Sequence, residues 1–339
     1  MNVTELSQKI NGQEFAPIYL ITGAEDYLQV AAQQQFMKIL SPEEKELNFS
    51  QYNLSETSLT TVLDDAMSIP FLGAHRLILL TNPTFLTSDK DKINHQYDDF
   101  IEYLKNPTLT TILAIFAPYA KLDERKKVVK ELRKHAVIVN TAKLSEKASR
   151  EAFQYELRRH GVKITSQALQ LLIQRTDADF SLMMAQLPKL LLYARSSKEI
   201  TNDAIINLIT PKLEDNVFAL VDSILKRDVK KALTQYKMLL LQQEDPIKLN
   251  AILLNQFRLL LQVKILKSKG YTQGNLATTL KVHPYRIKLA LEQIHNLSRD
   301  DLMHAYLGSE KLEVQMKSEQ IDRQQLFELF VLHFAKYKY

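Results

Sequence analysis

The turn after the first apolar run of the chain lies where a nucleotide-binding protein would carry its phosphate-binding loop. Ile18–Thr22 is a short apolar run bounded by a Pro and a Gly, which predicts a buried strand. A phosphate-binding loop needs glycines whose N–H groups approach the phosphates, a Lys that neutralises them and a hydroxyl group that holds magnesium. Residues 23–28 contain one Gly, no Lys and two carboxylates, Glu25 and Asp26, which would repel a triphosphate.

A second feature of such a site, the acidic pair that binds magnesium at the end of the third strand, is also missing. The apolar run 76–80 is followed by Thr81, Asn82 and Pro83. Two independent defects in one site predict that the chain does not hydrolyse ATP. The alternative is an active ATPase with an unusual nucleotide site, which a nucleotide-binding measurement would distinguish.

The remaining residue types that perform chemistry are not arranged for it. The chain has no Cys, which excludes a disulfide framework, a thiolate zinc site and a Cys nucleophile. Its eight His residues are not paired at metal-ligand spacing, and the acidic pairs Asp64–Asp65 and Asp98–Asp99 are typical of a solvated helix surface. No Ser lies in a nucleophile elbow. The sequence therefore predicts no catalytic residue, no cofactor and no metal site.

The positive charge of the chain is concentrated in one segment. Residues 121–150 contain ten Lys or Arg and four Asp or Glu, so they carry a net charge of +6, while the whole chain carries +5. Such a concentration indicates a polyanionic partner more clearly than the total charge does. The alternative is a solvated helix face, and the count alone favours that alternative.

Short apolar runs alternate with helix-length segments in the first part of the chain. Strands are predicted at residues 18–22, 47–52, 76–81, 110–116 and 136–140, and helices at residues 25–40, 57–67, 94–105 and 122–135. Strands separated by helices form βαβ units, which predicts a doubly wound parallel sheet with helices on both faces.

After residue 140 the strand pattern stops, and every later segment predicts a helix. These helices are predicted at residues 145–161, 165–176, 202–209, 216–225, 229–241, 246–267, 272–294 (a short pair), 298–314 and 322–336. The fold class is therefore α/β followed by all-α. An α/β domain over residues 1–140, a small helical lid domain over 141–211 and a helical domain over 212–339 resemble the arrangement of AAA+ proteins.

Six ordered segments together resemble the delta subunit family of bacterial DNA polymerase III. Residues 17–28 resemble the family's degenerate nucleotide loop, and residues 66–80 resemble its clamp-contacting helix end and the next strand. The other matching segments are residues 121–130, 214–224, 255–259 and 283–288. Their order along nearly the whole chain makes the resemblance specific.

This resemblance implies a clamp-loader subunit that has no catalytic activity of its own and works within a DNA polymerase holoenzyme. The C-terminal domain would be a collar that joins ATP-hydrolysing subunits of the gamma or tau type and a delta-prime-like subunit. The N-terminal domain would grip the ring-shaped sliding clamp (beta) near a subunit interface and favour the open ring. Primed DNA would be a partner inside the assembled loader.

Two positions depart from the family pattern. Pro188 stands where the family has an unbroken helix, and an internal Pro costs a helix about 3 kcal/mol, so we expect a kink or a break there. Near the C-terminus, Lys317 and Ser318 are followed by Glu319, where the family favours Lys-Thr-Gly.

An apolar segment between a predicted helix and the strand at residues 76–81 is the candidate clamp-binding site. We call this segment, Ile69-Pro70-Phe71-Leu72, the wedge. Pro70 stiffens the backbone before binding, and Gly73 permits a sharp reversal of the chain. The segment also coincides with the family's clamp-contacting element. The alternative is that these side chains plug the edge of the sheet.

Two further sets of residues are candidates for DNA binding. One is the basic side of the helix predicted at 122–135, whose members are Lys126, Lys127, Lys130 and Arg133, with Lys121, Arg125 and Lys134 nearby. The other is Tyr285, beside Arg286 and Lys288, which could stack on an unpaired base. Plain solvent exposure is the alternative for both sets.

A different class of function, a helical DNA-binding regulator, rests on residues 272–288, which could mimic a helix-turn-helix. That helix has few base-reading residues, and an α/β domain would be superfluous, so the clamp-loader reading is preferred. Residues 1–10 lack the apolar centre of a signal peptide, and no apolar run approaches the length of a membrane span. We therefore expect a cytoplasmic protein without a membrane partner.

Overall fold

A parallel sheet forms the centre of the N-terminal part of the chain. The structure is a computed structural model, and it describes residues 1–71, 73–89, 93, 96–318 and 320–336. The elements are α1 (Val3–Asn11), β1 (Ile18–Thr22), α2 (Asp26–Phe36), α3 (Pro42–Asn48), β2 (Phe49–Asn53), α4 (Leu59–Ala66), β3 (Arg76–Thr81), a 3-10 helix (Thr84–Leu86), α5 (Tyr97–Lys105), β4 (Thr111–Ala117), α6 (Lys127–His135) and β5 (Val137–Asn140). Within the described residues, these five strands lie in the order β2-β3-β4-β1-β5, and all four pairs are parallel. The predicted parallel sheet is confirmed.

Helices cover both faces of this sheet. In β1, Ile18 and Leu20 join a core that α4, α5 and α6 complete on one face. Tyr19 and Ile21 point the other way and join a core that α1 and α2 complete. Because successive strand residues face opposite sides, a strand buried on both faces is a continuous apolar run, as predicted. The doubly wound arrangement is therefore confirmed.

Two helices of this part, α1 and α3, were not predicted, although the sequence contains start signals for both. Each begins with a capping box. The side chain of the residue before the helix accepts from the backbone amide three positions later, and the Glu side chain at that later position accepts from the backbone amide of the capping residue. The pairs are Asn2 with Glu5 and Ser41 with Glu44. Both helices are short, and neither shows the long apolar periodicity on which the prediction relied.

The chain after residue 140 is mainly helical. Its elements are α7 (Glu146–Arg159), β6 (Lys163–Ile164), α8 (Ser166–Arg175), α9 (Phe180–Tyr193), β7 (Glu199–Ile200), α10 (Asn202–Leu208), α11 (Leu213–Leu225), α12 (Val229–Leu241), α13 (Pro246–Ser268), α14 (Gln273–Leu280), α15 (Pro284–Gln293), α16 (Arg299–Ser318) and α17 (Arg323–Lys336). The predicted fold class, α/β followed by all-α, is confirmed. The expectation that strands end at residue 140 is wrong in one detail, since β6 and β7 form a two-residue parallel ladder.

Helix α9 continues through Pro188, so of the two outcomes expected there the break is wrong, and a kink stays a prediction. The Pro removes one helical hydrogen bond, at a cost of about 3 kcal/mol. The side chains of Met183, Leu187 and Leu190 on either side of it are buried. Burial of each such side chain contributes about 1.5–3 kcal/mol, which offsets the loss.

By its internal contacts, the chain separates into two compact units. The first contains Met1–Glu156 and Asp179–Pro188, and the second contains Leu157–Ala178 and Lys189–Tyr339. The finer division into domains at residues 140 and 211 remains a prediction.

Helix α13 is the central helix of the C-terminal core. Leu253, Phe257 and Leu260 are fully buried there against α11 and α16, and Tyr236 stacks on Phe327 at 3.6 Å between ring centres. Among the described helices, α13 is the one that is long and apolar enough to cross a membrane. Polar residues such as Lys248, Asn255 and Lys264 interrupt it, so it contains no unbroken apolar run of that length, as expected. The apolar length of α13 is accounted for by its position in this core.

Candidate functional site

The turn between β1 and α2 is closed against the backbone that follows β5. Gly23 has a φ of +135°, and a Cβ atom on it would lie 2.2 Å from the backbone of Thr141 and Ala142. The amide of Glu25 donates to the Thr141 carbonyl at 2.9 Å, and the Thr141 amide donates to the Thr22 carbonyl at 2.9 Å. The backbone of Thr141 and Ala142 therefore fills the space beside Gly23.

Three of the amide groups in this turn already have partners in the protein. The Gly23 amide donates to the Ala117 carbonyl at 3.3 Å, and the Tyr27 amide donates to Ser181 Oγ at 2.9 Å. The amide of Glu25 is also occupied, as described above. Phosphate-binding loops depend on amides that point at the ligand, so this turn is poorly suited to a nucleotide.

The carboxylate of Glu25 occupies a small anion-binding site made by the chain itself. Its side chain is 1% exposed, and Oε1 accepts from the Ser181 amide at 3.1 Å and from the Ser181 hydroxyl. Lys143 Nζ lies 3.6 Å from Oε2 and donates to Asp179 at 2.9 Å. Burial alone would lower the pKa of Lys143, but the hydrogen bond to Asp179 and the charge of Glu25 outweigh burial and raise it. An amide, a hydroxyl and a cation are thus directed at an internal carboxylate.

The wedge is an exposed apolar segment between α4 and β3. The side chain of Ile69 is 86% exposed and that of Phe71 is 75% exposed, while Pro70 is half-buried. Leu72 lies outside the described residues. Since Ile69 and Phe71 face solvent, they do not plug the edge of the sheet. Met67, 58% exposed, extends this apolar surface and was not predicted as part of it.

The end of α4 that leads into the wedge is held firmly. The Ala66 carbonyl accepts from the Thr111 hydroxyl at 2.8 Å and from the Tyr103 hydroxyl at 3.5 Å. The preceding residue, Asp65, accepts from Arg76 of β3 and from the Tyr52 hydroxyl. Each bond connects α4 to the sheet or to α5, so the wedge begins from a fixed position.

The basic segment forms less of a continuous surface than the sequence indicated. Helix α6 begins at Lys127, whereas a start at residue 122 was predicted. Lys126 Nζ donates to the Phe85 carbonyl at 2.9 Å, Lys127 lies 3.4 Å from Asp98, and Arg133 pairs with Glu124 at 2.7 Å. The side chains of Lys130 and Lys134 are exposed and make no ion pair with another described residue.

Tyr285 and Arg286 are not accessible in the way that base stacking requires. Tyr285 is 3% exposed in the C-terminal core, so its ring faces are covered by the protein. Arg286 donates to both carboxylate oxygens of Asp177, at 3.0 and 3.1 Å, and Lys212 donates to the same carboxylate. Burial alone would raise the pKa of Asp177, but the hydrogen bonds from Arg286 and Lys212 outweigh it and hold the pKa below its ordinary value. The prediction of a stacking Tyr285 is therefore corrected by its burial.

In the part of the chain that the structure describes, no three His, Asp or Glu side chains are grouped so that they could hold a metal ion. The residues that sequence reasoning missed are Met67 at the wedge and Ser181 and Lys143 around Glu25. The contacts of Ser181 and Lys143 join segments far apart in the chain, and no local pattern announces them.

Comparison with known proteins supplies the family. Residues 19–142 match the family described as DNA polymerase III, delta subunit, and residues 214–334 match the DNA polymerase III delta subunit, C-terminal domain. The chain is 34% identical to DNA polymerase III subunit delta of Bacillus subtilis over 338 residues, which cover 98% of this chain and 97% of that protein. It is 23% identical to a probable DNA polymerase III subunit delta of Aquifex aeolicus over 234 residues, 68% of this chain and 67% of that one.

A solved structure agrees with these sequence matches. The DNA clamp loader delta protein of Bacillus subtilis superimposes with a TM-score of 0.76 at 33% identity, covering 99% of this chain and 100% of that chain. Matches in sequence and in structure thus extend over nearly the full chain. The chain belongs to the delta subunit family of DNA polymerase III.

Proposed function

We propose that this chain is a clamp-loader subunit that binds the sliding clamp through the wedge and favours the open ring. The observation that carries the proposal is the exposure of Ile69 and Phe71 at the end of a helix that is tied to the sheet. Single exposed apolar side chains are common, but a patch of them such as Met67, Ile69 and Phe71 marks a surface for interaction. Membership of the delta family supports the sliding clamp as that partner.

Opening of the ring needs no chemistry from this chain. If the wedge binds the open clamp more tightly than the closed clamp, its binding shifts the population towards the open ring. The shift is limited by the difference between the two affinities, and a ratio of about 100 changes the equilibrium by about 2.7 kcal/mol. Titration of the chain with the sliding clamp tests the proposal, because the wild-type chain is expected to bind and a Phe71→Ala chain is expected to bind much more weakly.

The chain is expected neither to bind ATP nor to hydrolyse it. The amides of Gly23, Glu25 and Tyr27 in the β1–α2 turn have protein partners, and Glu25 places a negative charge in the same region. Calorimetric titration with ATP and magnesium should give no saturable heat, and a partner ATPase subunit serves as the positive control. Magnesium-dependent ATP turnover that follows this chain through purification would favour the active ATPase instead.

Assembly with the ATP-hydrolysing subunits and a delta-prime-like subunit is proposed to use the C-terminal helices. Met238 and Leu241 of α12, together with Leu307 and Val314 of α16, are exposed apolar residues in a region whose core is already filled. Such residues suit a subunit interface. A function in DNA replication is consistent with a cytoplasmic location.

A weaker proposal concerns primed DNA. On α6, Lys130 and Lys134 are exposed and form no ion pair with another described residue, whereas Lys126, Lys127 and Arg133 already contact protein groups. Reversal of charge at Lys130 and Lys134 to Glu is expected to reduce the slope of log affinity against log salt for loader–DNA binding by about 2. The control is reversal at Lys230 and Lys231, two exposed lysines at the start of α12. An unchanged slope in the first variant would leave these lysines as a solvated helix face.

The alternative of a helical DNA-binding regulator is not favoured by any observation. Tyr285 is buried and Arg286 is paired with Asp177, so the segment that resembled a recognition helix offers few free groups.

A further inference from the structure

The segment that carries Phe71 is held from a second side by α3, which is not part of the wedge. The amide of Phe71 donates to Asn48 Oδ1 at 2.8 Å. Asn48 is the last residue of α3, directly before β2, and its side chain is fully buried. The buried side-chain oxygen of Asn48 therefore holds the backbone of Phe71, whose ring is exposed to solvent.

A second contact lies on the other side of the wedge. Gly73 has a φ of +83°, and a Cβ atom on it would lie 1.9 Å from Glu44 Oε1. Glu44 is itself immobilised, because its Oε2 accepts from the Ser41 amide at 2.8 Å in the capping box that begins α3. Helix α3 thus contacts the segment both before and after its tip.

From this geometry we infer that Asn48 is a positioning residue for clamp binding, and that α3 holds Phe71 in its binding orientation before the clamp arrives. The inference rests on the proposed function of the wedge and adds to it the residue on which that function depends. A segment fixed in advance loses less conformational entropy when it docks, so its affinity is higher than that of a loose segment. Asn48 acts through Phe71 and does not itself need to touch the clamp.

Asn48→Ala is expected to weaken clamp affinity roughly 5- to 20-fold, as loss of one buried hydrogen bond together with some ordering of the segment implies. Asn48→Asp keeps an oxygen acceptor at the same position and is expected to retain most of the affinity. Hydrogen exchange at the Phe71 amide should become faster in Asn48→Ala. Asn250→Ala is the matched control, since Asn250 is a buried Asn of α13 that donates to the Ser309 carbonyl, and it should lower stability without changing clamp affinity.

A double-mutant cycle separates positioning from general stability. If Asn48 works through Phe71, then Asn48→Ala should weaken binding much less in a Phe71→Ala background than in the wild-type chain. Full additivity of the two changes would overturn the inference, as would unchanged affinity of Asn48→Ala beside a weakened Phe71→Ala. If Phe71→Ala itself binds normally, the proposed function fails first, and the inference fails with it.

Gly73→Ala provides a second variant in case Asn48→Ala does not fold. Gly73 is exposed, so the change leaves the core intact, yet the added Cβ conflicts with Glu44 and with the positive φ. The variant should displace the segment and weaken clamp affinity by a similar factor. A folded Gly73→Ala chain with wild-type affinity would contradict the requirement for a held segment.

Discussion

Replacement of Phe71 by Ala is expected to weaken binding of the sliding clamp by roughly 30- to 1,000-fold, because truncation of an aromatic anchor at a protein interface typically costs about 2–4 kcal/mol. Phe71 is 75% exposed in the free chain, so nearly all of its ring is available for burial in the complex. The combined change with Leu72→Ala is expected to abolish clamp binding and clamp unloading while subunit assembly continues.

Leu192→Ala is the matched control for this prediction. Leu192 of α9 is 71% exposed and belongs to the other compact unit, so the control removes a comparable exposed apolar group outside the unit that carries the wedge. Both variants should unfold at the same temperature as the wild-type chain, since neither side chain contributes to a core. Equal clamp affinity of a folded Phe71→Ala, Leu72→Ala chain and the wild type would remove the central residues of the proposed site.

Gly23→Ala is expected to destabilise the α/β part of the chain by about 3 kcal/mol or more. A Cβ atom at Gly23 would lie 2.2 Å from the backbone of Thr141 and Ala142, and backbone cannot move aside as the end of a side chain can. The φ of +135° adds strain for any residue other than Gly.

The opposite result is expected for Gly274→Ala, which is the control. Gly274 lies in α14, and an added Cβ would meet no atom within 4 Å. Because Ala is the better helix former, this change should stabilise the chain by up to about 1 kcal/mol. Urea unfolding of both variants measures the two shifts. A Gly23→Ala chain as stable as the wild type would mean that the β1–α2 turn is open, as a phosphate-binding loop is.

Continuous apolar runs allowed the sheet to be predicted closely. Two strands, Ile18–Thr22 and Arg76–Thr81, have the predicted bounds, because burial on both faces places hydrophobic residues at every position between their ends. Short polar helices such as α3 have no comparable pattern. The late start of α6 has a local cause, since Asp123 accepts from the amide and guanidinium of Arg125 and forms a turn instead of a helix. The hydrogen bond from the Arg125 side chain has the larger effect and the bond from the Arg125 amide the smaller one, and together they lower the pKa of Asp123 to about 2.

The candidate site was partly predictable for a different reason. The apolar residue types at positions 69–72, and their place between a predicted helix and a predicted strand, identified the wedge. Its exposure could not be predicted from the sequence, because the same residues could equally plug a sheet edge. The availability of Arg286 depends on Asp177, which lies 109 positions earlier in the chain. The support of Phe71 by Asn48 is likewise a pairing across 23 positions, and no local periodicity encodes it.

The internal carboxylate of Glu25 has a consequence for timing in the cell. If the chain binds no nucleotide, as proposed, a turn held closed by its own anion through Ser181 and Lys143 would not respond to the ratio of ATP to ADP. On the proposed function, this chain would then present Phe71 continuously, and metabolic state would not hide it. Control over when a clamp is gripped would belong to the subunits with which this chain is proposed to assemble.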